Sequence, residues 1–376
     1  RMRILFYGSV PPPLHGASYA NSLFVSAPWP EDVEIRHVNC YLSRSLEEMN
    51  RFSPLKLFRF LRGMGRLLWD SLTFSPDWVV VPVAFNRGSF LKDGMAVLLM
   101  GALRRRVVLW CHGQGYKPLR SGGGALMRLL RRAVMAVPSA VVTPSRQAGL
   151  DNAFQSEFQT RWRTIPYGIP DLQRLSPPIK GEGVRILFLS NMLQTKGWKT
   201  LWEAACNLCL RHDGLSFDFY GQETAEISTE ELESFFAQGP CPGRIRYRGP
   251  AFGETKESAF AQADIFCFPT YYPYETFGIV LVEAMRAGLP LVASRYSGIP
   301  EILSEGEGGL LVSPNNVEDL ETEIERLLLD PSLRKAMGSF NRRRFESRYT
   351  MQAAVNGWLN LFEELQGQEE GERVSP

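Results

Sequence analysis

Only four of the 376 residues are histidine, which leaves little material for a His-rich metal centre. The six cysteines (Cys40, Cys111, Cys206, Cys209, Cys241 and Cys267) lie mostly in apolar surroundings without disulfide-like spacing, so a reducing compartment is expected. Cys206 and Cys209 do form a CxxC, but on a helix-like stretch with no second ligand pair downstream, which points to packing rather than zinc. No apolar run approaches the roughly 18 residues that a membrane-spanning helix needs. The chain enters a strand at once, with no secretory signal before it, so a cytoplasmic location is expected. No short-period repeat is present.

What is there is a soluble globular composition, 44% hydrophobic and 22% charged, over a length that suits two domains. The net charge of +2 hides a division. Residues 1–175 carry 23 Lys/Arg against 11 Asp/Glu, a net of +12, and the remainder carries 19 against 29, a net of −10. Such asymmetry points to an anionic surface as a partner of the first half. Its basic residues concentrate in 51–66 (Arg51, Lys56, Arg59, Arg62, Arg66) and in 117–132, both interleaved with large apolar residues. In the first stretch Phe52, Leu55, Phe58, Leu61, Leu68 and Trp69 alternate with the arginines at helical spacing. A basic amphipathic helix of this kind reads as a membrane-surface element, with Arg59, Arg62 and Arg66 at the lipid or acceptor side. The alternative is a surface helix whose apolar stripe faces its own core. No nucleic-acid partner is expected.

Short apolar runs alternate with helical stretches: Arg3-Ile-Leu-Phe-Tyr7, Trp78-Val-Val-Val-Pro82, Arg106-Val-Val-Leu-Trp-Cys111 and Ala140-Val-Val-Thr143. The cadence restarts with Val184-Arg-Ile-Leu-Phe-Leu189, Leu215-Ser-Phe-Asp-Phe-Tyr220, Ile245-Arg-Tyr247, Asp264-Ile-Phe-Cys-Phe268 and Leu289-Pro-Leu-Val-Ala293. Near-continuous apolar strands belong to parallel sheets covered on both faces. Pro/Gly-rich punctuation between 166 and 183 marks a linker. The pattern predicts an α/β protein with two doubly wound, Rossmann-like domains facing across a cleft, 1–172 and 173–348, with ligands beyond the carboxyl ends of the strands. The polar tail 366–376 reads as disordered.

The run Pro269-Thr-Tyr-Tyr-Pro-Tyr-Glu-Thr-Phe-Gly-Ile-Val-Leu-Val-Glu-Ala-Met285 is the most informative segment. It joins a buried strand to a helix from Gly278, where the amides of Thr276, Phe277 and Gly278 and the helix dipole favour an anion. Glu275 and Glu283 flank that seat. Acids beside a phosphate repel it unless they hold something else, and sugar or ribose hydroxyls are the natural candidates. Two solvated acids on an ordinary strand-loop-helix are the plainer alternative.

Other candidates end strands too. His112 follows the strand through Cys111 and is placed to donate to a sugar hydroxyl or to stabilise developing charge. The loop Gly8-Ser-Val-Pro-Pro-Pro-Leu-His-Gly16 lacks dinucleotide and P-loop spacing, yet Gly16 lets the backbone approach a ligand. Within Ser190-Asn-Met-Leu-Gln-Thr-Lys-Gly197, Lys196 is expected to open a helix as part of a diphosphate clamp. A cation opposes the dipole there, so an anionic partner is expected. Glu301 reads as a helix-starting acid.

These residues resemble the signature of the retaining, nucleotide-sugar-dependent glycosyltransferases of family 4, which have the GT-B fold. The E-x7-E motif is Glu275 and Glu283, and Ala287-Gly-Leu-Pro-Leu-Val-Ala-Ser294 and Gly298-Ile-Pro-Glu-Ile-Leu303 match downstream. The resemblance is strong from 184 to 345 and weak in the first 175 residues. It implies that Glu283 binds the nucleotide ribose, Glu275 the donor sugar, and the Thr276, Phe277 and Gly278 amides the phosphates. Lys196 would clamp the phosphates and His112 would lie beside the transferred sugar. Many relatives have arginine where this chain has Asn191, so the clamp here lacks one charge. The family's C-terminal helix, crossing back to the first domain, would fall within 349–365.

The resulting expectation is a retaining, metal-independent transferase without a cofactor. Its nucleotide-sugar donor would serve a lipid-linked glycan acceptor in surface polysaccharide assembly, at the inner face of an anionic membrane. The rival readings are a transferase for a small soluble acceptor, an epimerase of the same fold, and a non-catalytic sugar-nucleotide-binding protein.

Overall fold

The computed structural model describes residues 1–12, 16–40, 53–85, 87–113, 124–147, 157–172 and 183–374. The chain divides into two compact units: Arg1–Gly168 with Thr350–Pro376, and Ile169–Tyr349.

Unit 1 is built on β1 (Met2–Tyr7), β2 (Val33–Val38), β3 (Trp78–Val83), β4 (Val107–Cys111), β5 (Ala140–Thr143) and β6 (Trp162–Thr164), in the order β2-β1-β3-β4-β5-β6. All neighbours pair in parallel. The central strands are apolar on both faces because helices cover both. Helices Pro54–Phe74, Arg87–Ala102 and Ala125–Ala136 share a core with Leu5, Val79, Val81 and Leu109. On the other face the C-terminal helix Met351–Val374 supplies Trp358 and Phe362, and Phe362 stacks on Trp78 at 5.4 Å. Gly357 lets that helix approach Ile165, where an added Cβ would lie 3.1 Å from the Ile165 side chain.

Unit 2 repeats the plan with β7 (Val184–Leu189), β8 (Leu215–Tyr220), β9 (Ile245–Tyr247), β10 (Ile265–Phe268), β11 (Leu291–Ser294) and β12 (Gly309–Val312), ordered β12-β11-β10-β7-β8-β9. These pairs too are parallel. Phe188, Trp198, Phe217, Phe219 and Phe236 fill its core. Cys206 and Cys209 are buried in that core as free thiols. Burial pushes the Cys206 thiol up to about 11 and the Cys209 thiol up to about 12. Among the described residues no three His, Cys, Asp or Glu side chains gather as metal ligands, and no helix is long and apolar enough to cross a membrane.

Three strands escape the sequence pattern. β2 is an edge strand, and its polar Glu34, Arg36 and His37 hide it. β6 is only three residues long, and β12 is a four-residue edge strand of the second sheet. The tail expected to be disordered from 366 is helical as far as Val374. Its Gln and Glu residues are good helix formers, and they extend a helix already anchored by Trp358, Phe362 and Leu365. Most of the expected linker, 173–182, lies outside the described residues, as do 13–15 of the proline loop, Arg51, Phe52 and 117–123.

Candidate active site

In unit 2 the geometry starts from two glycines. Gly197 has φ 84°, and an added Cβ would sit 2.1 Å from the Pro269 carbonyl oxygen, so only glycine lets the loop after β7 lie against the loop after β10. Two hydrogen bonds fasten the contact: the Tyr271 amide donates to Thr195 O at 2.8 Å and the Thr270 hydroxyl to the same oxygen at 3.4 Å. Lys196 therefore lies in a short turn, Gln194–Lys196, ahead of helix Trp198–Arg211, and not in the helix as expected. The helix begins one residue after Gly197 because that residue's left-handed backbone cannot be part of it.

Lys196 Nζ lies 2.6 Å from Glu275 Oε2 and 4.3 Å from the centre of the Tyr272 ring. Both charged side chains are largely buried, 16% and 10% exposed, which makes the pairing stronger than one between solvated side chains. Burial, and then the Glu275 charge, push the Tyr272 phenol above its ordinary value. After Glu275 come buried Thr276 and Phe277, whose ring meets Tyr349 edge-on. Gly278, at φ 75°, then caps helix Ile279–Arg286. The first-turn amides of an α-helix lack an i−4 acceptor inside the helix; here the Leu281 amide donates to Gly278 O at 2.9 Å, at the end of the helix that follows Glu275.

Glu283 points into the protein, 4% exposed, and accepts from Lys256 Nζ at 2.6 Å. The adjacent Glu257 binds Arg286 through both oxygens, at 2.6 and 2.8 Å. Two ion pairs thus strap helix Gly253–Gln262 to the motif helix. Sequence reasoning missed Lys256, whose partner is 27 residues away on another helix. Asn191 is exposed after β7, and its carbonyl accepts from the Leu193 amide.

In unit 1, His112 ends β4 and is held on both sides. Its Nδ1 is 2.7 Å from the Tyr167 hydroxyl and its Nε2 is 2.9 Å from Asn21 Oδ1. Neither partner was singled out by sequence, because an Asn inside a helix and a Tyr in a Pro/Gly stretch carry no spacing signal. Gly16 is the exposed first residue of helix Gly16–Val25, with open space where a Cβ would go. His37 Nε2 bonds Gly8 O at 2.8 Å and fixes the start of the loop after β1.

Helix Pro54–Phe74 buries Leu67 and Phe74 and leaves Leu55, Leu57, Phe58, Leu61, Leu68, Trp69 and Leu72 exposed, Phe58 and Trp69 each at 62%. Its apolar stripe is therefore not consumed by its own core. Arg62 and Arg66 are exposed among these residues and Arg59 is half-buried, while Arg66 pairs with buried Asp70 at 2.6 Å.

Two all-parallel, six-stranded α/β units, the second carrying a lysine–carboxylate pair at a helix N-terminus, define a glycosyltransferase fold of the GT-B class. Residues 171–344, just under half of the chain, match the family model described as glycosyl transferases group 1. It is 38% identical over 129 residues to a sulfoquinovosyl transferase of Arabidopsis thaliana, covering 34% of this chain and 24% of that relative. It is 27% identical over 214 residues to a phosphatidyl-myo-inositol mannosyltransferase of Mycolicibacterium smegmatis, covering 53% and 54%. The chain thus spans about a quarter and about half of these curated relatives. Among solved structures it is similar to Anabaena HepE in complex with UDP, with a TM-score of 0.73 at 16% identity over 96% of this chain and 100% of the other. At that identity the likeness is one of fold.

Proposed function

We propose that this protein is a retaining, metal-independent glycosyltransferase that moves a sugar from a nucleotide-sugar donor to a lipid-linked glycan in cell-surface polysaccharide assembly. The observation that carries the reading is the Lys196–Glu275 pair at the amide-rich start of helix Ile279–Arg286. A diphosphate fits the lysine and the amides, and a polyhydroxylated sugar fits the carboxylate beside them. Glu283, already holding Lys256, is the acid for the ribose hydroxyls. As the bond from the anomeric carbon to the diphosphate oxygen breaks, Lys196 and the helix dipole stabilise the negative charge left behind. The acceptor hydroxyl bonds to that carbon on the face the diphosphate leaves, and its proton passes to the departing phosphate oxygen. His112 serves beside the transferred sugar. Asn191 brings no charge to the loop, so the clamp leans on Lys196 and the amides.

The lipid-linked acceptor and a peripheral place on an anionic membrane, at its cytoplasmic face, rest on helix Pro54–Phe74 with its exposed Phe58, Leu61 and Trp69 among basic residues. In keeping with this, the mycobacterial relative is named for a phosphatidyl-inositol acceptor.

A thermal-shift screen over UDP-, GDP- and ADP-sugars tests the donor. Binding to the native state raises the melting temperature by mass action, and the rise should vanish in Lys196→Ala. No shift with any sugar nucleotide overturns the reading.

A further inference from the structure

We infer that Asn21 and Tyr167 are positioning residues for His112: Asn21 fixes the proton on Nε2, and Tyr167 donates to Nδ1, which is left as the basic nitrogen. The Ser9 carbonyl oxygen can only accept a hydrogen bond. Asn21 Nδ2 lies 2.7 Å from it, so the amide nitrogen faces Ser9 and the amide oxygen faces the imidazole. That oxygen also only accepts, and at 2.9 Å from Nε2 it requires a proton on Nε2. The neutral ring then has its lone pair on Nδ1, where the Tyr167 hydroxyl donates at 2.7 Å.

The residue types support this order. Asn21 is 2% exposed on the inner face of a helix whose buried neighbours are Ala20, Leu23 and Phe24. A buried amide is costly without partners, and here both ends are used. The ring is held in plane by packing as well as by hydrogen bonds: Trp110 lies 4.3 Å from it centre to centre, and also packs on Tyr167 at 5.8 Å. Three residues from three places in unit 1 therefore set one imidazole before any ligand arrives. A histidine so held offers a sugar a fixed neutral ring, and takes up a proton at Nδ1 only when Tyr167 turns from donor to acceptor.

This inference rests on the proposed role of His112, and its test separates the two. Nitrogen-15 NMR of the full-length protein, labelled at histidine, reads the tautomer without any turnover. The expected result is a protonated, pyrrole-like Nε2 and an unprotonated, pyridine-like Nδ1 for His112, assigned by its loss in His112→Gln. In Asn21→Leu the signals should shift towards a mixture of tautomers, while Tyr167→Phe should leave the tautomer and move only Nδ1. A proton on Nδ1 in the neutral wild-type ring, or an unchanged tautomer in a folded Asn21→Leu, overturns the inference. In the transfer assay Asn21→Leu should lower kcat by up to about 100-fold, the scale of a misplaced group at a reacting centre, with the donor KM little changed. An equal loss in all variants through KM alone means that the residues only hold the fold. If the wild type transfers no sugar while its tautomer is as described, the functional reading fails and the positioning stands.

Discussion

Lys196 and Glu275, 79 residues apart in sequence, neutralise each other at 2.6 Å through a contact that Gly197 makes sterically accessible. A donor diphosphate must share or take over this lysine, so removing either partner has opposite electrostatic effects on the other. Lys196→Ala should lower kcat by about 10²–10³, the usual loss when one charge-stabilising donor is removed. Glu275→Gln should also lower kcat, and the double variant should lose less than the two single losses combined. Steady-state kinetics of the four proteins check this.

The Lys256–Glu283 pair is a different case, since Glu283 is almost fully buried. Lys256→Met strands a charge, with an expected cost of about 3–5 kcal/mol in urea unfolding. The conservative Glu283→Gln should cost less stability and instead raise the donor KM, because an amide still reaches the ribose but accepts more weakly. Comparing unfolding midpoints with KM values distinguishes the two roles.

Helix Pro54–Phe74 predicts lipid binding that needs both its components. Phe58→Ser with Trp69→Ser should reduce co-sedimentation with anionic vesicles several-fold, as should Arg59→Glu with Arg62→Glu, and high salt should weaken the wild type. Equal binding of wild type and variants excludes this helix as the contact.

His37 gives a pH dependence. Burial holds its imidazole below the ordinary value of 6.5, outweighing the hydrogen bond to Gly8. The unfolded chain therefore binds a proton as pH falls through 6.5 while the folded chain resists it. Stability from this group is complete above 6.5 and is lost as pH falls towards the depressed folded value. Urea midpoints at pH 8 and pH 5.5 should differ more for the wild type than for His37→Gln.

The centre of each sheet could be read from the sequence because a strand buried on both faces must be a continuous apolar run. Val184–Leu189, Leu215–Tyr220 and Ala140–Thr143 have the predicted bounds. β2 was hidden by the same physics, since an edge strand is free to carry Glu34 and Arg36. The Glu275 and Glu283 motif could be found because its spacing is local. Lys256, Asn21 and Tyr167 could not, since each is defined by a partner brought close only by folding. Lys196 was expected to open the helix itself because a lone glycine does not announce a left-handed turn; the clash with Pro269 that demands it is a tertiary fact.

The return of Met351–Val374 to unit 1 has a consequence for biosynthesis. Residues 1–168 emerge from the ribosome with one side of their sheet still lacking Trp358 and Phe362, and they wait through the synthesis of a complete inserted unit before that cover arrives. Unit 2 is therefore the first to have all its parts, and the amino-terminal half is the one that needs protection from aggregation in the meantime.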